Sequence, residues 1–318
     1  MAEVVIGLGT SHSPQLSIRA SEWHWLLEKD ETDPRLDYPA LLKRAKPGIE
    51  AELTPEKFRQ KDEACLKAVA HLGDALRKAN VDAIVVFGDD QHEQFHDDNM
   101  PTFAIYHGKT LPIATHTRRN PAAWKDAEER GWTPTAAAYD TESELAEHLI
   151  RELNAAEFDI ARCNQLKPEI GIGHAFSFLY RRVLPGSRLP MVPVMVNTYY
   201  PPNQPTPHRC YALGRAVRAA IESWNSSKRV ALMASGGLSH VVIDEEIDQM
   251  VLEGLKSKNR ERLFALPRQK LSGGTSEILN WVALAGAMEE RDLKYLEYVT
   301  TYRSPAGTGC GMAFAYWM

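Results

Sequence analysis

Apolar residues in this chain gather in short runs, each closed by glycine or a polar cluster. The runs are Val4–Leu8, Ala83–Phe87, Thr102–Tyr106, Phe158–Cys163, Met191–Val196, Val230–Ala234 and Met312–Tyr316. They are short and rich in β-branched or aromatic residues, the profile of strands buried on both faces. Amphipathic segments lie between them. The clearest runs from Pro55 to about Ala79, with Thr54 suited to cap it and Pro55 to its first position. Its apolar residues Phe58, Leu66, Val69, Leu72 and Leu76 recur near helical spacing. Further helices are expected at Glu142–Leu153, Tyr211–Ser223, Glu245–Leu255 and Ser276–Met288. Strands alternating with helices predict a layered α/β fold, here taken as a single catalytic domain over residues 1–318. The polar stretch Ser17–Leu53 (17–53), with Trp23 and Trp25, reads as a long N-terminal excursion that covers or borders something. The proline-rich Pro201–Pro207 is a stiff loop, either a pocket wall or a plain connector.

Composition narrows the function. At 44% hydrophobic content, 318 residues suffice for a large core. A net charge of -5 supplies no basic footprint for nucleic acid. No run approaches 18 apolar residues, so no membrane span is expected. The opening Met1–Ile6 reads as strand rather than signal peptide. Cys65, Cys163, Cys210 and Cys310 form no CxxC, which fits a reducing cytoplasm. A GxSxG elbow, a P-loop and a GxGxxG before a helix are all missing, so hydrolase and nucleotide-binding readings lose their usual handles.

The chemistry-bearing residues follow the strands. Gly9-Thr10-Ser11-His12-Ser13-Pro14 follows the first, where open α/β sheets place ligands. Gly88-Asp89-Asp90-Gln91-His92-Glu93 follows the second, either as a source of ligands and proton carriers or as a solvated acidic loop. Ser235-Gly236-Gly237-Leu238-Ser239-His240 again places a histidine after a strand and a glycine turn. Glu277 opens a helix, which its dipole alone would explain. Beside three histidines it becomes the carboxylate of a two-histidine, one-carboxylate site, the triad suited to Fe(II) and O₂. His174 stands at a loop-to-helix junction, either a cap or a pocket residue. His24, His71, His107, His116, His148 and His208 have no comparable setting and read as surface or structural.

Taken in order, TSHSP, GDDQHE before PTFAIY, NQ, SGGLSH and SE-xx-NW resemble the LigB-type (class III) extradiol dioxygenases, nearest to members acting on 3-O-methylgallate, protocatechuate and gallate. The resemblance runs from Val4 to Met312. It implies a central mixed sheet flanked by helices, an Fe(II) centre with His12 and Glu277 as ligands, and His240 as acid and base. It implies a small aromatic diol and O₂ as substrates, in aromatic compound catabolism. It also implies a homodimer or higher oligomer, sometimes with a small partner subunit. Two columns depart from the family pattern. The second ligand column falls on Gln91; a one-residue shift of the turn makes His92 the ligand, and His92 is the residue expected, with Gln91 or Asp90 the alternatives. A second active-site histidine column reads Glu169-Ile170-Gly171, so His174, four residues on, is assigned a catalytic role beside His240. Two other readings stay open: a non-catalytic binding protein on this scaffold, and a hydrolase or lyase using another metal at the same triad.

Overall fold

The computed structural model describes residues 1–113, 138–167 and 170–318. Four parallel strands form the middle of its main sheet, in the order β1 (Glu3–Thr10), β8 (Arg229–Ser235), β2 (Ala83–Asp89) and β7 (Met191–Val196). Beyond β7 lie β3 (Phe103–Tyr106), antiparallel, and β6 (Ala161–Cys163) at the edge. Beyond β1 lie β11 (Thr308–Trp317) and β10 (Leu293–Thr300), both pairing antiparallel. The short β9 (His240–Val242) pairs with β11. A separate ribbon joins β4 (Thr110–Pro112) to β5 (Ala138–Asp140). This is the mixed α/β sheet with flanking helices that the sequence predicts.

Every residue of β2 and β7 is buried, because helices cover both faces. Ile84 and Val86 point into the core under the helix Pro55–Ala79. Val85 and Phe87 point the opposite way, into the core beneath Pro207–Ser223 and Ile278–Ala287. Thr54 caps the first of these helices by accepting from the amide of Lys57, and Asn80 ends it in the left-handed region. At the sheet edge, β6 is only half-buried, so burial on both faces fails there.

The two helices on the second face approach closely at glycines. A Cβ on Gly214 would collide with the carbonyl of Ala283, and one on Gly286 with the carbonyl of Tyr211. Backbone cannot swing aside as a long side chain can. Gly214→Ala should therefore cost about 1–3 kcal/mol, read as a lower urea midpoint at unchanged slope.

The excursion forms helices His24–Thr32 and Tyr38–Lys43 and folds back onto the loop before β11. Trp23 is fully buried and its indole N–H donates to the Gln15 carbonyl. Asp30 takes both arms of the Arg303 guanidinium at 2.7 and 2.8 Å, and the pair is buried. Arg303 is thus a structural clasp, spoken for by Asp30. The four cysteines are unpaired thiols. Among the described residues, no helix is long and apolar enough to cross a membrane.

Candidate metal centre

The four central strands run parallel, so their carboxyl ends meet at one edge of the sheet. His12 follows β1, the Gly236–His240 turn follows β8, Asp89 ends β2, and Tyr199 follows β7. Glu277 arrives from the other direction, closing the 3-10 turn Gly273–Glu277 beneath the helix Ile278–Ala287. One donor atom from each of His12, Asp89 and Glu277 falls within 4.8 Å of the others, and all three residues are buried.

The state of His12 follows from its neighbours. The Ser235 hydroxyl donates its one proton to the Ala175 carbonyl at 2.6 Å. It must therefore accept from His12 Nδ1 at 3.0 Å, which assigns the ring proton to Nδ1. Burial drives the His12 pKa down to about 4, so the ring is neutral at neutral pH. Its Nε2 lone pair has no hydrogen-bond partner and stands 3.6 Å from Glu277 Oε2. Two acceptors facing each other in a buried space is an arrangement that a cation completes.

Glu277 is densely held. Its Oε2 accepts from the Gly237 amide at 2.7 Å. Its Oε1 accepts from Gln91 at 3.1 Å, Tyr199 at 3.3 Å and His240 Nε2 at 3.1 Å. Burial opposes its charge, but His240 and His12 outweigh burial and hold its carboxyl at about 2. Asp89 has weaker support: Gln91 donates to it at 3.1 Å and Asn280 approaches at 3.4 Å. Burial, then the nearby Glu277, pushes it up to about 7. Two carboxylates and a neutral imidazole of this kind fit a divalent cation, and the oxygen-rich donor set suits hard or borderline ions.

The structure brings His12, Glu277, His240 and His174 together, and it does not bring His92 to them. Asp90 caps the turn after β2 by accepting from the amides of Gln94 and Phe95. That cap fixes the turn so that Gln91 points inward and bridges Asp89 and Glu277. His92, at φ 57°, points the other way. Its ring stacks on Tyr200 at 3.7 Å and its Nε2 faces Asp97 at 3.3 Å. The nearby residue missing from the sequence-based ligand set is Asp89, which the sequence places in the polar turn after the second strand without singling it out.

His174 begins the helix His174–Phe178, with its ring edge-on to His12 at 4.7 Å between centroids. Glu93 accepts from both its amide and its Nδ1, at 2.9 and 3.0 Å. Desolvation in the cleft works against its charge, but Glu93 prevails and raises its pKa to about 9. His240 donates Nδ1–H to the Leu238 carbonyl at 2.9 Å, leaving Nε2 on Glu277. Burial opposes its charge too, yet Glu277 and then Cys310 raise its pKa well above 6.5. The remaining histidines serve elsewhere. His24 bonds the Ser21 carbonyl, His71 packs on Tyr295, His107 faces Glu147, His148 bonds the Ala220 carbonyl, and His208 packs on Phe264. His116 and Glu169 lie outside the described residues. Trp281 is buried with its N–H on the Gly236 carbonyl and serves as packing.

Residues 46–313 match the family model of the catalytic LigB subunit of aromatic ring-opening dioxygenase. The chain belongs to the LigB family. Gallate dioxygenase of Pseudomonas putida is 32% identical over 158 residues, 45% of this chain and 45% of that protein. The 2,3-dihydroxyphenylpropionate/2,3-dihydroxicinnamic acid 1,2-dioxygenase of Cupriavidus necator is 29% identical over 194 residues, 60% of this chain and 52% of that protein. The Rhodococcus jostii protein of the same description is 24% identical over 227 residues, 69% and 65% of the two chains. This LigB chain spans about half the length of the first of these relatives.

Proposed function

We propose that this LigB protein is an extradiol-type dioxygenase, an oxidoreductase that opens a catechol-like aromatic ring at a bound Fe(II). The observation that carries the reading is the His12 Nε2 lone pair, buried, unpartnered and facing the Glu277 carboxylate. His12, Glu277 and Asp89 would hold the ion, with Asp89 in the place the sequence assigns to His92. Bound there, Fe(II) would supply redox activation of O₂ for opening the ring of an aromatic diol.

The chain's own groups do the rest. His240 is fixed through Nδ1, so once a cation engages Glu277 and frees Nε2, that nitrogen is the atom that takes a proton from a substrate hydroxyl and returns it. His174, kept cationic by Glu93, adds positive charge beside His12, where it favours a substrate oxyanion. Tyr199 places a hydroxyl on the same carboxylate as His240. Gallate, protocatechuate and 3-O-methylgallate are the first substrates to offer. The oxygen-rich donor set also favours a second reading, a hydrolase or lyase using a different divalent ion.

Protein purified without oxygen and analysed for metals distinguishes the two. Adding Fe(II) and these diols should give O₂ uptake and a yellow product. Turnover with another ion and no O₂ consumption supports the second reading and sinks the first. The ligand assignment has its own check by calorimetry with Mn(II). Asp89→Asn should weaken binding by at least the roughly 10–100-fold typical of changes in the supporting shell, while His92→Ala leaves it within about 2-fold. The reverse order returns the second ligand position to His92.

A further inference from the structure

Asp248 is a buried carboxylate that the proposed chemistry does not use. It lies on the helix Glu245–Lys256 with no exposed surface. Burial raises its pKa, and its hydrogen-bond partners are all neutral donors. Ser239 donates to it twice, through the amide and the hydroxyl, each at 2.7 Å. Tyr298, on β10, donates its hydroxyl at 2.6 Å. A carboxylate held this way is costly to bury, and an apolar residue would fill the space more cheaply.

Its effect falls on the residue before His240. The Ser239 hydroxyl also accepts from the Asp244 amide at 2.8 Å, and the Ser239 carbonyl accepts from the Gly311 amide at 2.8 Å. Every polar atom of Ser239 is therefore tied. His240 is held in turn by Thr275, whose hydroxyl accepts from the His240 amide at 3.1 Å and donates to its carbonyl at 2.9 Å. Thr275 sits in the same turn as Glu277. The outcome is a backbone frame that presents His240 Nε2 to Glu277 Oε1 at 3.1 Å.

We propose that Asp248 is a positioning residue for His240, acting through Ser239, with Thr275 as the second arm of the same frame. The proposal rests on the reading of His240 as the proton-carrying group. It predicts a coupling that ordinary structural support would not produce. Asp248→Asn keeps the shape and exchanges an acceptor for a donor. With a catechol that the enzyme turns over, it should lower kcat by about 10–100-fold. KM should stay within about 2-fold, and bound metal should not change. In a His240→Ala background the same change should cost nothing further.

Multiplication of the two losses in the double variant would overturn the positioning role, as would a raised KM at constant kcat. If His240→Ala alone leaves turnover intact, the reading of His240 fails instead. The frame is then judged by NMR of histidine-labelled protein. Asp248→Asn should move or double the His240 ring signals and leave those of His148 in place; unmoved His240 signals refute it. Should Asp248→Asn not fold, Thr275→Val removes both hydrogen bonds at nearly constant volume. It must show the same non-additivity with His240→Ala, and additive losses overturn the proposal.

Discussion

Glu277→Ala should lose the bound cation and, with it, all ring-opening turnover. No other residue of the centre is engaged by so many partners. Its two oxygens accept from Gly237, Gln91, Tyr199 and His240, and Oε2 also faces the unpartnered Nε2 of His12. Alanine removes the carboxylate whose charge most favours a cation here, since Asp89 is pushed up to about 7 and is only partly ionised at neutral pH. His12 and Asp89 would remain, too few donors to hold a divalent ion against water. Affinity should fall by ~10² or more, beyond the 10–100-fold typical of changes in the supporting shell. Glu277→Gln separates charge from shape: it keeps the volume, and it should fail nearly as badly. Elemental analysis after anaerobic reconstitution is the measurement. Stoichiometric iron with intact activity in Glu277→Ala would remove the centre as described.

Much of the architecture can be read from the chain because its central strands are buried on both faces. Ala83–Phe87 and Met191–Val196 have no solvent side, so they appear as continuous apolar runs, and both lie within the observed β2 and β7. Strand β10 escaped that reading for the opposite reason. Leu293–Thr300 is partly exposed along its length and carries Lys294 and Glu297, so its pattern is diluted. The three-residue strands β4, β5 and β9 are too short to carry a period at all.

The site shows the same division between what is local and what is not. His12, His240 and Glu277 follow strand or glycine-turn signals and are found together. Which residue of Asp89-Asp90-Gln91-His92 faces inward depends on Asp90 capping Gln94 and Phe95, a contact that spacing does not reveal. Nor does spacing reveal the partner of Arg303. That partner, Asp30, is 273 residues away in sequence, inside the excursion.

His240→Ala should leave the metal in place and cut turnover by ~10²–10⁴. The two halves of this expectation come from different features of the site. Metal retention follows because His240 lies outside the group of His12, Asp89 and Glu277 donors. It touches the carboxylate of Glu277, not the unpartnered face of His12. The loss of turnover follows from how three imidazoles in one cleft are kept in different states. His12 is held neutral by burial, at about 4, and offers a lone pair. His174 is held charged by Glu93, at about 9, and parts with its proton reluctantly at neutral pH. His240 owes its raised pKa to Glu277, the residue a cation would engage. A cation sharing that carboxylate would weaken the pull on the His240 proton and lower its pKa, which eases exchange at neutral pH. Neither His12 nor His174 can substitute, the first because its lone pair is committed and the second because its proton is. Iron content and kcat measured on the same preparation separate the roles. A His240→Ala protein that loses iron while keeping its turnover per bound ion would make His240 a ligand rather than the proton carrier.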